Sequence, residues 1–184
     1  MQVLALSGSL RQASINTAFC RAAARLASAP MRVEVYADLR ALPLFNPDLE
    51  AAPPAAVLDL RAAVARADAL LIASPEYAHG VSGAMKNALD WLVSDPSVVG
   101  KPFALVNTSP RAHHAYEALG EVLRTMSLAR VADASVAVQL LGSCITEAAM
   151  LESAQASGAI RAVLSALAAH LAGQRSGGAS FPID

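Results

Sequence analysis

The sequence predicts an α/β domain built on a doubly wound, five-stranded parallel sheet with helices on both faces, and three observations carry that expectation. Short apolar runs alternate with longer helical patterns through residues 2–172, the order that places crossover helices between parallel strands. The runs ALLIAS (69–74) and FALVN (103–107) are apolar almost throughout, as strands covered on both faces are. Ile15, Phe19, Ala22 and Leu26 recur on one helical face while Arg21 and Arg25 fall on another, which is the pattern of a helix lying on a core.

Taken in order, the pattern predicts strands over 2–7, 31–37, 68–74, 102–107 and 135–141. Helices are expected over 15–28, 54–67, 82–93 and 112–127, with a last helical pattern over 145–172 interrupted near Gly158. Between the second strand and second helix, DLRALPLFNPDLEAAPP (38–54) carries four prolines and reads as a long ordered surface loop. The stretch GQRSGGASFPID (173–184) is rich in Gly and Ser and reads as a flexible tail that Phe181 could tether. Nothing marks a linker, so residues 1–184 read as one domain.

Composition narrows the function. With 184 residues and 55% hydrophobic content, one core suffices, and folding would bury roughly 70% of the unfolded chain's surface. The formal net charge is −1, and the 12 Arg and 2 Lys are scattered, so no basic stripe is present to neutralise nucleic-acid phosphates or meet an anionic membrane surface. Cys20 and Cys144 stand in no CxxC or zinc spacing and read as buried free thiols. The start MQVLALSGS lacks a basic n-region, and uncharged runs fall short of the roughly 18 residues a membrane span needs; the expected location is the cytoplasm.

Two loops carry the chemistry. GSLRQASIN (8–16) lies between the first strand and first helix, at the carboxyl end of a strand and the N–H end of a helix, where anions bind in such sheets. It matches neither GxGxxG nor a Walker loop, and it has no Cys; it can hold a phosphate but not attack one. Ser14 also suits a plain helix N-cap. The second loop opens SPEYAHGVSGAMKNALDWLV (74–93), where Pro75 stiffens the turn and Gly80 and Gly83 allow close backbone approach.

The helix after it has a core stripe of Val81, Met85, Leu89 and Leu92. A second apolar strip, Ala84, Ala88 and Trp91, predicts a subunit contact, with simple burial as the alternative. Lys86 and Asp90 are spaced to pair at i,i+4. Adjacent His113 and His114 point apart on a helix and make a poor metal pair, so they read as surface or helix-start residues, with a substrate-pocket role as the alternative. His79 with Ser74 and Asp90 lacks the G-x-S-x-G elbow of a hydrolase. No metal ligand set is expected.

GSLRQASIN, LPLFNPDLE and PEYAHGVSGAMKNALDW, in that order, resemble the NAD(P)H-dependent FMN reductase family, a flavodoxin-like group that includes chromate, quinone and azo-dye reductases. The resemblance spans about the first 110 residues. It implies a strand order of 2-1-3-4-5, which brings the two loops together across one crevice. It also implies noncovalent FMN, NADPH or NADH as donor, a ping-pong cycle reducing a quinone, flavin, azo compound or metal oxyanion, and a homodimer or homotetramer.

Carried over by motif, the phosphate-binding positions are Ser9, Arg11, Ser14 and Asn16, the isoalloxazine loop is Pro75, Glu76 and Tyr77, and Ser109 belongs to a third flavin loop. Two departures stand out: Ala78 replaces the family's usual Asn, and NTSPRAHHA (107–115) lacks its usual glycines. The cofactor would carry the chemistry, so no catalytic side chain is expected. A non-enzymatic electron carrier and a flavin-free regulatory module on the same scaffold are the alternatives, and the near-neutral charge disfavours the first.

Overall fold

The computed structural model describes residues 1–109, 113–138, 140 and 144–177. Its elements run β1 (Gln2–Ser7), α1 (Ile15–Leu26), β2 (Arg32–Val35), α2 (Ala55–Arg66), β3 (Ala69–Ala73), β4 (Glu76–Tyr77), β5 (Gly80–Val81) and α3 (Gly83–Leu92). They continue with β6 (Pro102–Val106), α4 (His113–Thr125), β7 (Ala129–Arg130), α5 (Glu147–Glu152) and α6 (Ala154–Gly177). Five strands form one parallel sheet in the order β2-β1-β3-β6-β7, while β4 and β5 form a separate antiparallel hairpin. Counting sheet strands alone, this is the expected 2-1-3-4-5. The chain leaves β1 in one direction and returns to β3 on its other side, so the loops after β1 and β3 diverge and leave a crevice at their carboxyl ends.

Alternation along the strands divides the core into two layers. Val3 and Ala5 of β1 point into a cluster with Phe19, Cys20 and Ala22 of α1 and Ile160, Val163 and Leu167 of α6. Leu4 and Leu6 point the other way, onto Leu60 and Val64 of α2 and Met85 and Leu89 of α3. Strands β3 and β6 are buried at every residue. Burial pushes the Cys20 thiol up to about 12, and Cys144 is likewise free and buried, so Cys20 carries no thiolate at neutral pH. α6 is long and apolar enough to cross a membrane by length and composition alone. Its Ile160, Val163, Leu167 and Leu171 stripe is packed against the sheet and α1 as a domain helix.

Three expectations are corrected. The fifth strand is not a single run over 135–141: the sheet takes up Ala129–Arg130, a 3-10 turn at Ala132–Ala134 interrupts it, and Ala137 then bridges Asn107. The turn carries Ser135 inward, where its Oγ accepts from Leu105 N–H at 3.1 Å. Residues 139 and 141 of the expected strand lie outside the described residues, as do 178–184 of the expected tail. The final helical pattern breaks at Ser153 and not near Gly158. Ser153 ends α5 and its Oγ accepts from Ala156 N–H at 3.2 Å, so a side-chain cap, not glycine freedom, sets the break.

The third correction concerns Trp91, expected at a subunit contact. Trp91 is wholly buried inside the subunit, because the 38–54 loop folds over it. Its Nε1–H donates to Pro43 O at 2.8 Å, and Phe45 meets its ring edge-on at 5.0 Å. Asn87 clamps the same loop, donating to Pro43 O at 2.9 Å and accepting from Phe45 N–H at 2.8 Å. The prolines thus shape a cover, held by two side chains of α3. Trp91→Phe keeps the apolar volume but removes the indole donor; urea unfolding should show a loss of about 1 to 2 kcal/mol, with subunit mass by light scattering unchanged.

Candidate functional site

The crevice is closed at its floor by one short-range contact between the loops after β1 and β3. Gly8 N–H donates to Ala73 O at 2.9 Å, continuing the β1–β3 ladder past the strand end. Ser82 Oγ donates to Gly8 O at 2.6 Å and accepts from Met85 N–H at 3.3 Å, so the N-cap of α3 is also the tie to the first loop. Ser74 Oγ stands 3.3 Å from Ser82 Oγ. A Cβ on Gly8 would lie 2.3 Å from Ser74 Oγ and 2.9 Å from Ser82 Oγ. Only glycine lets the loops meet this closely.

At one end of the crevice the first turn of α1 faces outward. Ser14 is the N-cap, its Oγ accepting from Thr17 N–H at 3.2 Å, which satisfies one of the turn's free donors and leaves those before it available. Thr17 Oγ1 is tied to Ser7 Oγ at 2.8 Å, anchoring the helix start to the end of β1. Ser9 Oγ accepts from Arg11 N–H at 3.4 Å and holds the loop's curve. The Arg11 side chain is exposed and enters no salt bridge among the described residues. Ser14 also lines a cavity of about 230 Å³ with Gln12, Thr17, Arg21 and Thr146.

Asn16 is buried, and its Oδ1 accepts from Thr108 Oγ1 at 2.9 Å. That bond joins the first loop to the loop after β6, a pairing across 92 positions that no local pattern signals. Between them opens a cavity of about 270 Å³ lined by Ile15, Asn16, Ser74, Pro75, Glu76, Thr108 and Ser109. Ser109 N–H is held by Asn107 Oδ1 at 2.9 Å. The structure therefore brings Asn16, Pro75, Glu76 and Ser109 to one cavity, with Ser14 around the helix start. Ser9 and Arg11 sit on the loop beyond, and Tyr77 is 58% exposed at the outer side.

The β4–β5 hairpin forms the opposite wall. Its two turn residues, Ala78 and His79, have φ of 49° and 59°, the double left-handed conformation of a type I′ turn. Asn is at ease there and Ala is not, so Ala78 keeps the turn at a local cost. Glu76 lines the cavity with its residue while its Oε2 accepts from Ala115 N–H at 2.9 Å, placing a carboxylate at the positive end of α4. His79 then meets His114 at 4.4 Å between ring centroids, and His114 meets His113 at 4.0 Å. His113 and His114 are exposed at the start of α4, as expected, but their rings lie close together, not apart, and His114 also meets a third ring from another loop. Residues 110–112, including Arg111, lie outside the described residues. Among the described residues no group of three metal-ligating side chains is arranged to hold a metal ion. Lys86 Nζ and Asp90 Oδ1 do pair, at 2.6 Å on the exposed face of α3.

The family model for NADPH-dependent FMN reductase matches residues 1–140. A NADPH:quinone oxidoreductase of Arabidopsis thaliana is 44% identical over 113 residues, covering 59% of this chain and 58% of that protein. A NAD(P)H-dependent FMN reductase of Pseudomonas aeruginosa is 41% identical over 112 residues, covering 59% and 60%. The matched stretch thus spans about three fifths of these curated relatives. Among solved structures, the flavoenzyme NAD(P)H:(acceptor) oxidoreductase FerB of Paracoccus denitrificans superposes with a TM-score of 0.70 at 26% identity, covering 92% of this chain and 98% of that one. A flavodoxin of Pseudomonas aeruginosa, at 16% identity and a TM-score of 0.57 over 94% and 99%, shares the fold.

The floor contact can be broken at Gly8, which does not itself line the cavity although its neighbour Ser74 does. Gly8→Ala forces Ser74 and Ser82 apart, and chemical denaturation should show a loss of roughly 1 to 3 kcal/mol, the usual cost of overpacking. Unchanged stability would show that the loops are not in fact pressed together.

Proposed function

The chain belongs to the NADPH-dependent FMN reductase family, and from that premise we propose that it is a cytoplasmic flavin oxidoreductase. It holds FMN noncovalently, takes reducing equivalents from NADPH or NADH, and passes them to a quinone, flavin, azo compound or metal oxyanion. The observation that carries this reading is the pairing of an anion-receptive loop with a second, ring-sized cavity at one crevice, joined by the Asn16–Thr108 bond. The loop at the anion end carries no cysteine, so the crevice suits holding a phosphate more than cleaving one.

The donor set fits the cofactor. The early N–H groups of α1, the Ser9 hydroxyl and the Arg11 guanidinium are an anion's natural partners, and Ser14 and Asn16 hold that turn in shape. Pro75, Glu76, Tyr77 and Ser109 would flank the ring, where backbone N–H groups can meet its polar edge. Bound FMN would supply the two-electron chemistry between a nicotinamide donor and the acceptor. The protein's own work is positioning: Ser82 and Gly8 fix the spacing of the two loops, and Glu76 fixes the hairpin to α4. No side chain is assigned a catalytic proton transfer.

Assembly as a homodimer or homotetramer is part of the proposal. Trp91 is not its anchor. Leu44 is 84% exposed on the rigid tip between Pro43 and Phe45, both held by Asn87, and Val93 and Val99 are also exposed. Two buried free thiols suit a reducing compartment.

Arg11→Ala should weaken FMN binding by roughly 1.5 to 3 kcal/mol, the worth of a charge-assisted phosphate bond, in calorimetric titration, with the unfolding midpoint unchanged because Arg11 is exposed. Equal affinity would remove Arg11 from the site. Steady-state NADPH oxidation with a quinone separates the enzyme from an electron carrier on the same fold, since a carrier turns over almost none.

A further inference from the structure

Three imidazoles from two loops come together at the outer edge of the crevice, apart from the residues assigned to the flavin. His79 sits at the tip of the β4–β5 hairpin in a left-handed backbone conformation, and His114 and His113 open α4. All three are exposed. Their neighbour Glu76 lines the 270 Å³ cavity and bonds Ala115, the residue after His114. The stack therefore stands beside the cavity, connected to it through one side chain.

We propose that His79, His113 and His114 form a receptive rim that selects electron acceptors bearing a negative charge, more strongly as pH falls. The proposal rests on the oxidoreductase reading above and names the acceptor class within it. Imidazole is the side chain whose ordinary charge change falls between about pH 5 and 8. Three rings at 4.0 and 4.4 Å cannot all become cations without repulsion. The carboxylates facing the rim are Glu76, which accepts from Ala115 N–H, and Glu117, one turn along α4 from His113 on the exposed side.

An incoming carboxylate, sulfonate or oxyanion changes the balance, because its charge stabilises each imidazolium it meets. Binding of the anion and uptake of a proton from solvent are then linked, and each favours the other. A neutral acceptor gains nothing from the rim. Positive charge on the rim thus grows where an anionic acceptor binds, which gives selection among acceptors.

The test compares a neutral naphthoquinone with its sulfonate on the FMN-loaded protein at about pH 6 and about pH 8. The ratio of kcat/KM, sulfonate over parent, should rise on the order of fivefold toward the lower pH, the scale of one partly exposed charge interaction. In the double variant His79→Asn, His114→Gln the ratio should lose its pH dependence, Asn being chosen because it tolerates the left-handed turn. A pH-independent ratio in the unaltered protein, or a variant that keeps the wild-type dependence, overturns the proposal. A second measurement does not need turnover: calorimetric titration with a redox-inert naphthalene sulfonate in two buffers of different ionisation enthalpy. Proton uptake in the unaltered protein and its loss in the variant support the rim; binding without proton uptake, or no binding, overturns it. If the neutral quinone is not reduced at all, the oxidoreductase reading fails, and the calorimetric arm alone decides the rim.

Discussion

The crevice depends on the missing side chain at Gly8. Because no Cβ stands between Gly8 and the serines at 74 and 82, Ser82 Oγ can reach Gly8 O at 2.6 Å. The loops after β1 and β3 therefore start from a common point before they diverge. The spacing of everything above it, from the α1 turn to the β4–β5 hairpin, is measured from that contact. It also explains why Ser82 is buried: one hydroxyl caps α3 and ties the two loops together.

Polar side chains in the crevice serve as joints more than as reactive groups. Ser14 and Thr17 secure the α1 turn, Asn16 and Thr108 join the first loop to the third, and Glu76 fastens the hairpin to α4. Each bond links segments far apart in sequence, or a loop to the element it precedes, and among the described residues this leaves the early N–H groups of α1, the Arg11 guanidinium and a shaped cavity. That division suits a protein that orients a reactive partner and leaves bond-making to it.

The fold was readable because its signals are local. Alternating apolar runs and the Ile15, Phe19, Ala22, Leu26 stripe set the elements to within a few residues, and Ser14 showed its cap in its own spacing. The misreadings came from contacts at long range. Nothing around Trp91 announces that Pro43 and Phe45 will cover it from 46 to 48 positions away (Trp91 lies 48 from Pro43), so an apolar second face looked like a subunit contact. The run over 135–141 alternates well as a strand, but Ser135 is drawn in by Leu105 and the sheet takes 129–130 instead. His113 and His114 are the exposed helix-start residues expected, but the ring that meets His114, His79, comes from a hairpin that only tertiary structure brings near. The proposed site residues stand in recognisable motifs, whereas the hydrogen-bonding partners that the structure gives Asn16 and Glu76 were not legible.

The central claim is that this crevice holds a flavin that a nicotinamide can reduce. Its most direct test is the absorption spectrum of the purified protein reconstituted with FMN and freed of excess, recorded before and after anaerobic addition of NADPH and then of NADH. The account predicts flavin bands that stay with the protein and bleach on addition of at least one nucleotide. Protein that emerges colourless, or flavin bands that neither nucleotide bleaches, would contradict it.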